Sequence, residues 1–185
     1  TFFMIVTGGV VTGFEAGLAV PDWPNSYGHN MLLYPLSEMV ADLHSGIFYE
    51  HAHRLTGMFV GFTSVTLCCV LFANDRRAWV RVLGVVILIM VISQGVLGGL
   101  RVTGVLTFSQ DPSILSPSTA FAIVHGVFAH VIMATMAVAA TATSNRWLDG
   151  GHKGDSAAPV DRKIATGLVN VLLLQLAIGA AYRHL

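Results

Sequence analysis

Apolar residues fall into five long blocks along the chain, divided by polar or proline-containing intervals. The first block lies in residues 1–20. Its apolar part ahead of Glu15 is about 14 residues, or about 21 Å of helix. That is short of the roughly 30 Å hydrocarbon layer, so residues upstream of Thr1 are expected to complete the span. The second block starts near His44 or Ser45 and runs to Ala73, with a clean apolar core over 58–73. Its polar start makes it longer than a bilayer needs, so it should tilt or protrude. The third, fourth and fifth blocks cover 82–102, 119–143 and 164–182. The pattern predicts an all-α polytopic membrane protein. An apolar start at Thr1 and a stop at Leu185, straight after an apolar run, read as cuts through a longer chain.

The intervals add direction. Residues 20–43 hold Pro21, Pro24 and Pro35, which stop any continuing helix. Trp23, Tyr27 and Tyr34 suit an interfacial position. A short amphipathic helix carrying Glu38 and Asp42 is expected over 35–43. An interval this long usually has a task, here that of a lid with Trp23 over a site mouth and Asp22 fixing the turn between the prolines. The 74–81 turn and the 144–163 interval carry every loop arginine and lysine, whereas 18–43 and 104–118 carry none. The positive-inside rule places the first pair in the cytoplasm or matrix and the second pair outside.

Composition supports the membrane reading. The 185 residues are 54% hydrophobic and 11% charged, against about 25% charged in soluble domains. Net charge is zero, and no basic tract suggests nucleic acid. Cys68 and Cys69 are adjacent, a poor geometry for a disulfide, and read as small membrane-buried side chains.

The chemistry gathers at the start of the second block, in Tyr49-Glu50-His51-Ala52-His53-Arg54-Leu55-Thr56-Gly57. Ionisable groups inside a bilayer are costly and seldom lack a task. Glu50, His53 and Gly57 share one helix face; His51 lies on another with His44. The fourth block carries His125 and His130. His53 and His125 both lie about two to three turns in from the outer ends of spans that enter from the same side. Two imidazoles at matched depth suit an iron porphyrin between them. Gly57, Gly61 and Gly126 are expected to leave room for the macrocycle. Arg54 and Arg101 lie near the outer mouth, where haem propionates suit them; pairing of Arg54 with Glu50 or Asp42, and snorkelling of Arg101, are the plainer alternatives. His44, His51 and His130 are weaker ligand candidates. His29 and His152 lie in the loops. Zinc and diiron sites fit poorly, because the cysteines lie deeper and no acid accompanies His125.

These residues also resemble a known family. Gly17-Leu18-Ala19-Val20-Pro21-Asp22-Trp23-Pro24, Glu50-His51-Ala52-His53-Arg54-Leu55-Thr56-Gly57, Gln94-Gly95-Val96-Leu97-Gly98-Gly99-Leu100 and Val124-His125 are similar, in order and setting, to motifs of the haem A synthases of cytochrome oxidase assembly. The resemblance implies eight spans in two four-helix halves. Residues 1–144 would be the first half, 145–163 a cytoplasmic linker, and 164–185 the first span of a truncated second half. It implies oxidation of the C8 methyl of haem O to a formyl group by successive hydroxylations. Haem O would be the substrate of this half, held by His53 and His125, and a haem b would reside in the second half. Glu50 matches the residue assigned to catalysis, and Arg54, Arg101 and Trp23 fall beside the substrate site. Implied partners are a haem O synthase, an electron donor and membrane lipid, and a homo-oligomer is compatible. The setting would be a bacterial plasma membrane or a mitochondrial inner membrane. Two departures stand out: Thr12 replaces an arginine common in the first span, and the first outer loop lacks the cysteine pair of some members. A haem b electron-transfer protein without porphyrin chemistry is the alternative reading, and a non-haem transporter with histidine proton relays is a third.

Overall fold

The computed structural model describes residues 1–41, 43–103, 117–150 and 158–184. Asp42, Asp111, Pro112, His152 and Lys153, and most of the 104–118 loop, lie outside the described residues. The elements are α1 (Phe2–Gly13), β1 (Asn25–Ser26), β2 (His29–Asn30), a 3-10 turn (Met31–Leu33), α2 (Leu36–Ala41), α3 (Ile47–Asn74), α4 (Ala78–Thr103), α5 (Pro117–Ala142), α6 (Asn145–Leu148) and α7 (Ala158–His184). Among the described residues four helices are long and apolar enough to cross a membrane, Ile47–Asn74, Ala78–Thr103, Thr119–Ala142 and Pro159–Arg183, and α1 is a shorter apolar helix. The chain is an all-α polytopic membrane protein.

α3 packs on α1 and α4, α4 packs on α5, and α5 touches α1, so four helices close into a ring; α7 lies against α5. Small residues set the approach. A Cβ on Gly84 would lie 3.0 Å from Leu71 Cδ1, so α3 and α4 meet closely near the 74–81 turn, the end labelled inner here after the expected orientation. Outward faces carry exposed Phe59, Phe62, Ile89 and Leu174, as lipid-facing helices do. Hydroxyls on these faces bond back to their own helix. Thr63, Thr66 and Thr135 each donate to the carbonyl four residues earlier. That satisfies groups that lipid cannot.

The 20–43 interval, labelled outer here after the expected orientation, is built rather than slack. The short helix expected over 35–43 is present as α2, and a hairpin not anticipated precedes it. β1 pairs antiparallel with β2, Asn25 opposite Asn30 and Ser26 opposite His29. Tyr27 (φ 50°) and Gly28 (φ 77°) form its two-residue turn, the left-handed pair that the twist of a hairpin favours. Asp22, expected to fix the turn between Pro21 and Pro24, fixes this later turn instead, accepting from Tyr27 N at 2.7 Å and Gly28 N at 2.8 Å. Burial works against ionisation of Asp22, but those two N–H donors, with the charge of Arg54, outweigh it and hold the carboxyl below its ordinary value.

Candidate functional site

The outer halves of α1, α3, α4 and α5 bring together the residues that the sequence singled out. His53 projects from α3 onto α1, and a Cβ on Gly8 would lie 3.1 Å from its Cε1. His125 projects from α5 onto α4, and a Cβ on Gly98 would lie 3.1 Å from its Cε1. Each imidazole therefore rests on a glycine of the neighbouring helix, in the same geometry. His53 lies within electrostatic range of His125 and Arg54, and His125 within range of Arg101. Thr7 Oγ1 is 3.1 Å from His53 Nδ1. Gln94 Nε2 donates to the His125 carbonyl at 2.9 Å.

Three buried polar atoms here have no hydrogen-bond partner among the described residues: Gln94 Oε1, Arg101 Nε and His125 Nδ1. Buried polar atoms are normally satisfied, so a cluster of orphans at one end of a bundle asks for a ligand. The donor set suits a haem. Two neutral imidazoles are ordinary axial ligands, and a guanidinium is a normal partner for a propionate. Among the described residues, no three His, Cys, Asp or Glu side chains gather as a metal-ion site.

The outer loop closes over this region. The Trp23 indole lies on α4 at Gly99, where an added Cβ would collide with the ring. Arg101 lies on Gly17, with Nη1 2.9 Å from where a Cβ would stand. Arg54 holds the loop down. Its Nη1 donates to Asp22 O at 2.7 Å and Asn25 O at 3.0 Å, and its Nη2 to Val20 O at 2.7 Å and Glu50 Oε1 at 2.7 Å. Glu50 is 3% exposed, and its other oxygen accepts from Val20 N at 2.9 Å. Of the two roles the sequence left open for Arg54, its side chain makes the pairing with Glu50. Both Glu50 oxygens are engaged in the same clamp.

Other candidates fall elsewhere. His51, almost fully buried, meets Ser26 Oγ at 3.0 Å through Nδ1 and packs against Tyr34, so it anchors the hairpin. His130 Nδ1 donates to Gly126 O of its own helix. Of the glycines expected to leave room, Gly57 is filled by Met4, whose Cε lies 3.0 Å from an added Cβ, whereas a Cβ on Gly61 or Gly126 would meet nothing within 4 Å, so those two positions are open as expected. The glycines beneath the imidazoles are Gly8 and Gly98. The sequence signal for Gly8 was its place in a small-residue stripe; for Gly98, the run Gln94-Gly95-Val96-Leu97-Gly98.

The model of one protein family, described as cytochrome oxidase assembly protein, matches residues 1–185. No curated protein and no solved structure matches the chain. The chain belongs to the cytochrome oxidase assembly protein family.

Proposed function

We propose that this member of the cytochrome oxidase assembly family acts as a haem A synthase, oxidising the C8 methyl of haem O to a formyl group by two hydroxylations, the second giving a hydrate that loses water. The observation that carries the reading is the matched pair of imidazoles, each on a glycine of its neighbour, beside the orphaned Gln94 Oε1, Arg101 Nε and His125 Nδ1. In this reading His53 and His125 hold the substrate iron, and Arg101 takes a propionate. Trp23 covers the mouth, and Arg54 holds the loop that carries Trp23. Bound haem supplies a redox-active iron at that point. The outer loop faces the bacterial periplasmic side or the mitochondrial intermembrane space. A haem O synthase supplies the substrate, dioxygen is the oxidant, and an electron donor supplies two electrons for each hydroxylation, in which one oxygen atom enters the methyl group and the other leaves as water with two protons; a haem b sits in a second half of the whole protein.

Glu50 is the proposed acid–base residue, one helical turn from His53. Its carboxylate must be released from Val20 N or Arg54 before it can exchange a proton with bound substrate. That requirement favours a second reading, a haem carrier in which Glu50 is only a clamp. The test is Glu50→Gln in membranes supplied with haem O and reductant, with extracted haems read by mass. The synthase reading expects haem O to be retained and its conversion slowed by at least about a hundredfold, the usual scale of an acid–base residue. Conversion at the wild-type rate assigns Glu50 to the clamp alone. No conversion by the unaltered full-length protein supports the carrier.

A further inference from the structure

The two candidate ligands sit on their glycines alike. Around each built Cβ the ring atoms lie at 3.1, 3.6 and 3.8 Å in the same order, Cε1, Nδ1, Nε2, for Gly8 with His53 and for Gly98 with His125. Their other surroundings differ. The residue before Gly8 is Thr7; the residue before Gly98 is Leu97. Thr7 Oγ1 lies 3.0 Å from Met4 O and 3.1 Å from His53 Nδ1. A hydroxyl has one proton, and a carbonyl can only accept. The Met4 contact therefore uses the Thr7 proton, and the remaining contact is Nδ1–H of His53 donating to Thr7 Oγ1. A neutral imidazole with its proton on Nδ1 presents an unprotonated Nε2. His125 Nδ1 has no partner among the described residues, and Leu97, the residue that holds the place of Thr7 before the supporting glycine, has no acceptor to offer.

We infer that Thr7 is a positioning residue that fixes His53 as the permanent axial ligand, presenting Nε2, and that Leu97 leaves His125 as the exchangeable one. This rests on the haem-ligand reading above. A donor bond from the second ring nitrogen holds the ring and raises the basicity of the ligating nitrogen, and such partners are worth about 10- to 100-fold in metal affinity. A site that must admit one haem and release another needs one firm ligand and one that lets go.

Two measurements test it on the chain in lipid nanodiscs. The first uses no haem: ¹⁵N-histidine NMR, with His53 assigned by its loss in His53→Ala. The Nδ1–H tautomer is expected at His53, and an Nε2–H tautomer there overturns the role of Thr7. The second loads ferric haem b and follows its transfer to apomyoglobin. Thr7→Val should speed transfer about tenfold, Thr7→Ser should restore it, and Leu97→Thr should slow it. His125→Ala should retain more haem than His53→Ala. An unchanged rate in Thr7→Val, or the reverse order of the two alanine variants, overturns the inference. If the unaltered chain takes up no ferric haem, the ligand reading fails, and the NMR result still decides whether Thr7 sets the tautomer.

Discussion

Among the described residues each end of the bundle carries one arginine–carboxylate pair, and the two pairs live in different surroundings. At the outer end Arg54 and Glu50 meet at 2.7 Å with side chains only 8% and 5% exposed. Arg54 also gathers three loop carbonyls. At the inner end Arg77 and Asp75 meet at 2.5 Å but are 28% and 14% exposed. Asp75 accepts from the Arg77 backbone as well, and Arg77 Nη1 reaches Ala142 O of α5. The inner pair tightens a turn that water and salt can reach. The outer pair is enclosed, so breaking it strands a charge. Similar chemistry closes a turn at one end and carries a lid at the other.

The largest expected effect follows from breaking the enclosed pair from the arginine side. Arg54→Ala leaves Glu50 buried without its cation and Val20, Asp22 and Asn25 without a shared donor. Loss of one partner of a buried pair costs about 3–5 kcal/mol. Thermal unfolding in detergent should show it, together with rapid proteolysis in residues 18–43. A variant with an intact loop and unchanged Tm contradicts the clamp. Glu50→Gln should cost less, about 1–3 kcal/mol, because Arg54 keeps its three carbonyls and the amide keeps an acceptor; equal losses in the two variants would mean that the ion pair alone holds the loop.

Gly99→Ala comes next. The added methyl collides with the Trp23 ring, and an indole is too stiff to yield in place. The ring should leave α4, seen as greater acrylamide quenching of Trp23 in a chain whose other tryptophans, Trp79 and Trp147, are replaced by phenylalanine. Unchanged quenching would separate the lid from α4.

The smallest effects belong to the inner turn. Arg77→Ala should shift Tm far less than Arg54→Ala, since exposed pairs contribute little. Hydrogen bonding from Arg77 sets the Asp75 carboxyl down to about 2 from an ordinary 3.8. A depressed folded value means that its stabilisation is fully present above 3.8 and is lost as pH falls through about 2. Asp22, also held low, behaves in the same sense. Neither turn should loosen between pH 8 and pH 5, and a Tm that falls across that window assigns the change to other groups.

The contrast also explains what could be read from the sequence. Spans were legible because apolar composition over 20 or so residues is a local signal; α4 and α5 begin and end within a few residues of the blocks at 82–102 and 119–143. His53 and His125 were legible as a pair because alternating spans fix depth. The clamp was half legible: Glu50 and Arg54 are one turn apart on one helix, but the carbonyls of Val20, Asp22 and Asn25 reach Arg54 only after the hairpin folds back. The hairpin itself hid in Asn25-Ser26-Tyr27-Gly28, where Tyr27 takes a left-handed conformation that its residue type does not announce. That Gly8 and Gly98 lie beneath the imidazoles was not legible, because helix contacts between α1 and α3, and between α4 and α5, choose them, and no pattern within one helix does.

The central claim is that His53 and His125 together grip one haem between α3 and α5. Near-infrared magnetic circular dichroism of the ferric chain, purified in nanodiscs and loaded with one equivalent of haem, tests it most directly. The account predicts the charge-transfer band of bis-histidine ligation in the unaltered chain and its loss in both His53→Ala and His125→Ala. A bis-histidine band that persists in either variant contradicts it.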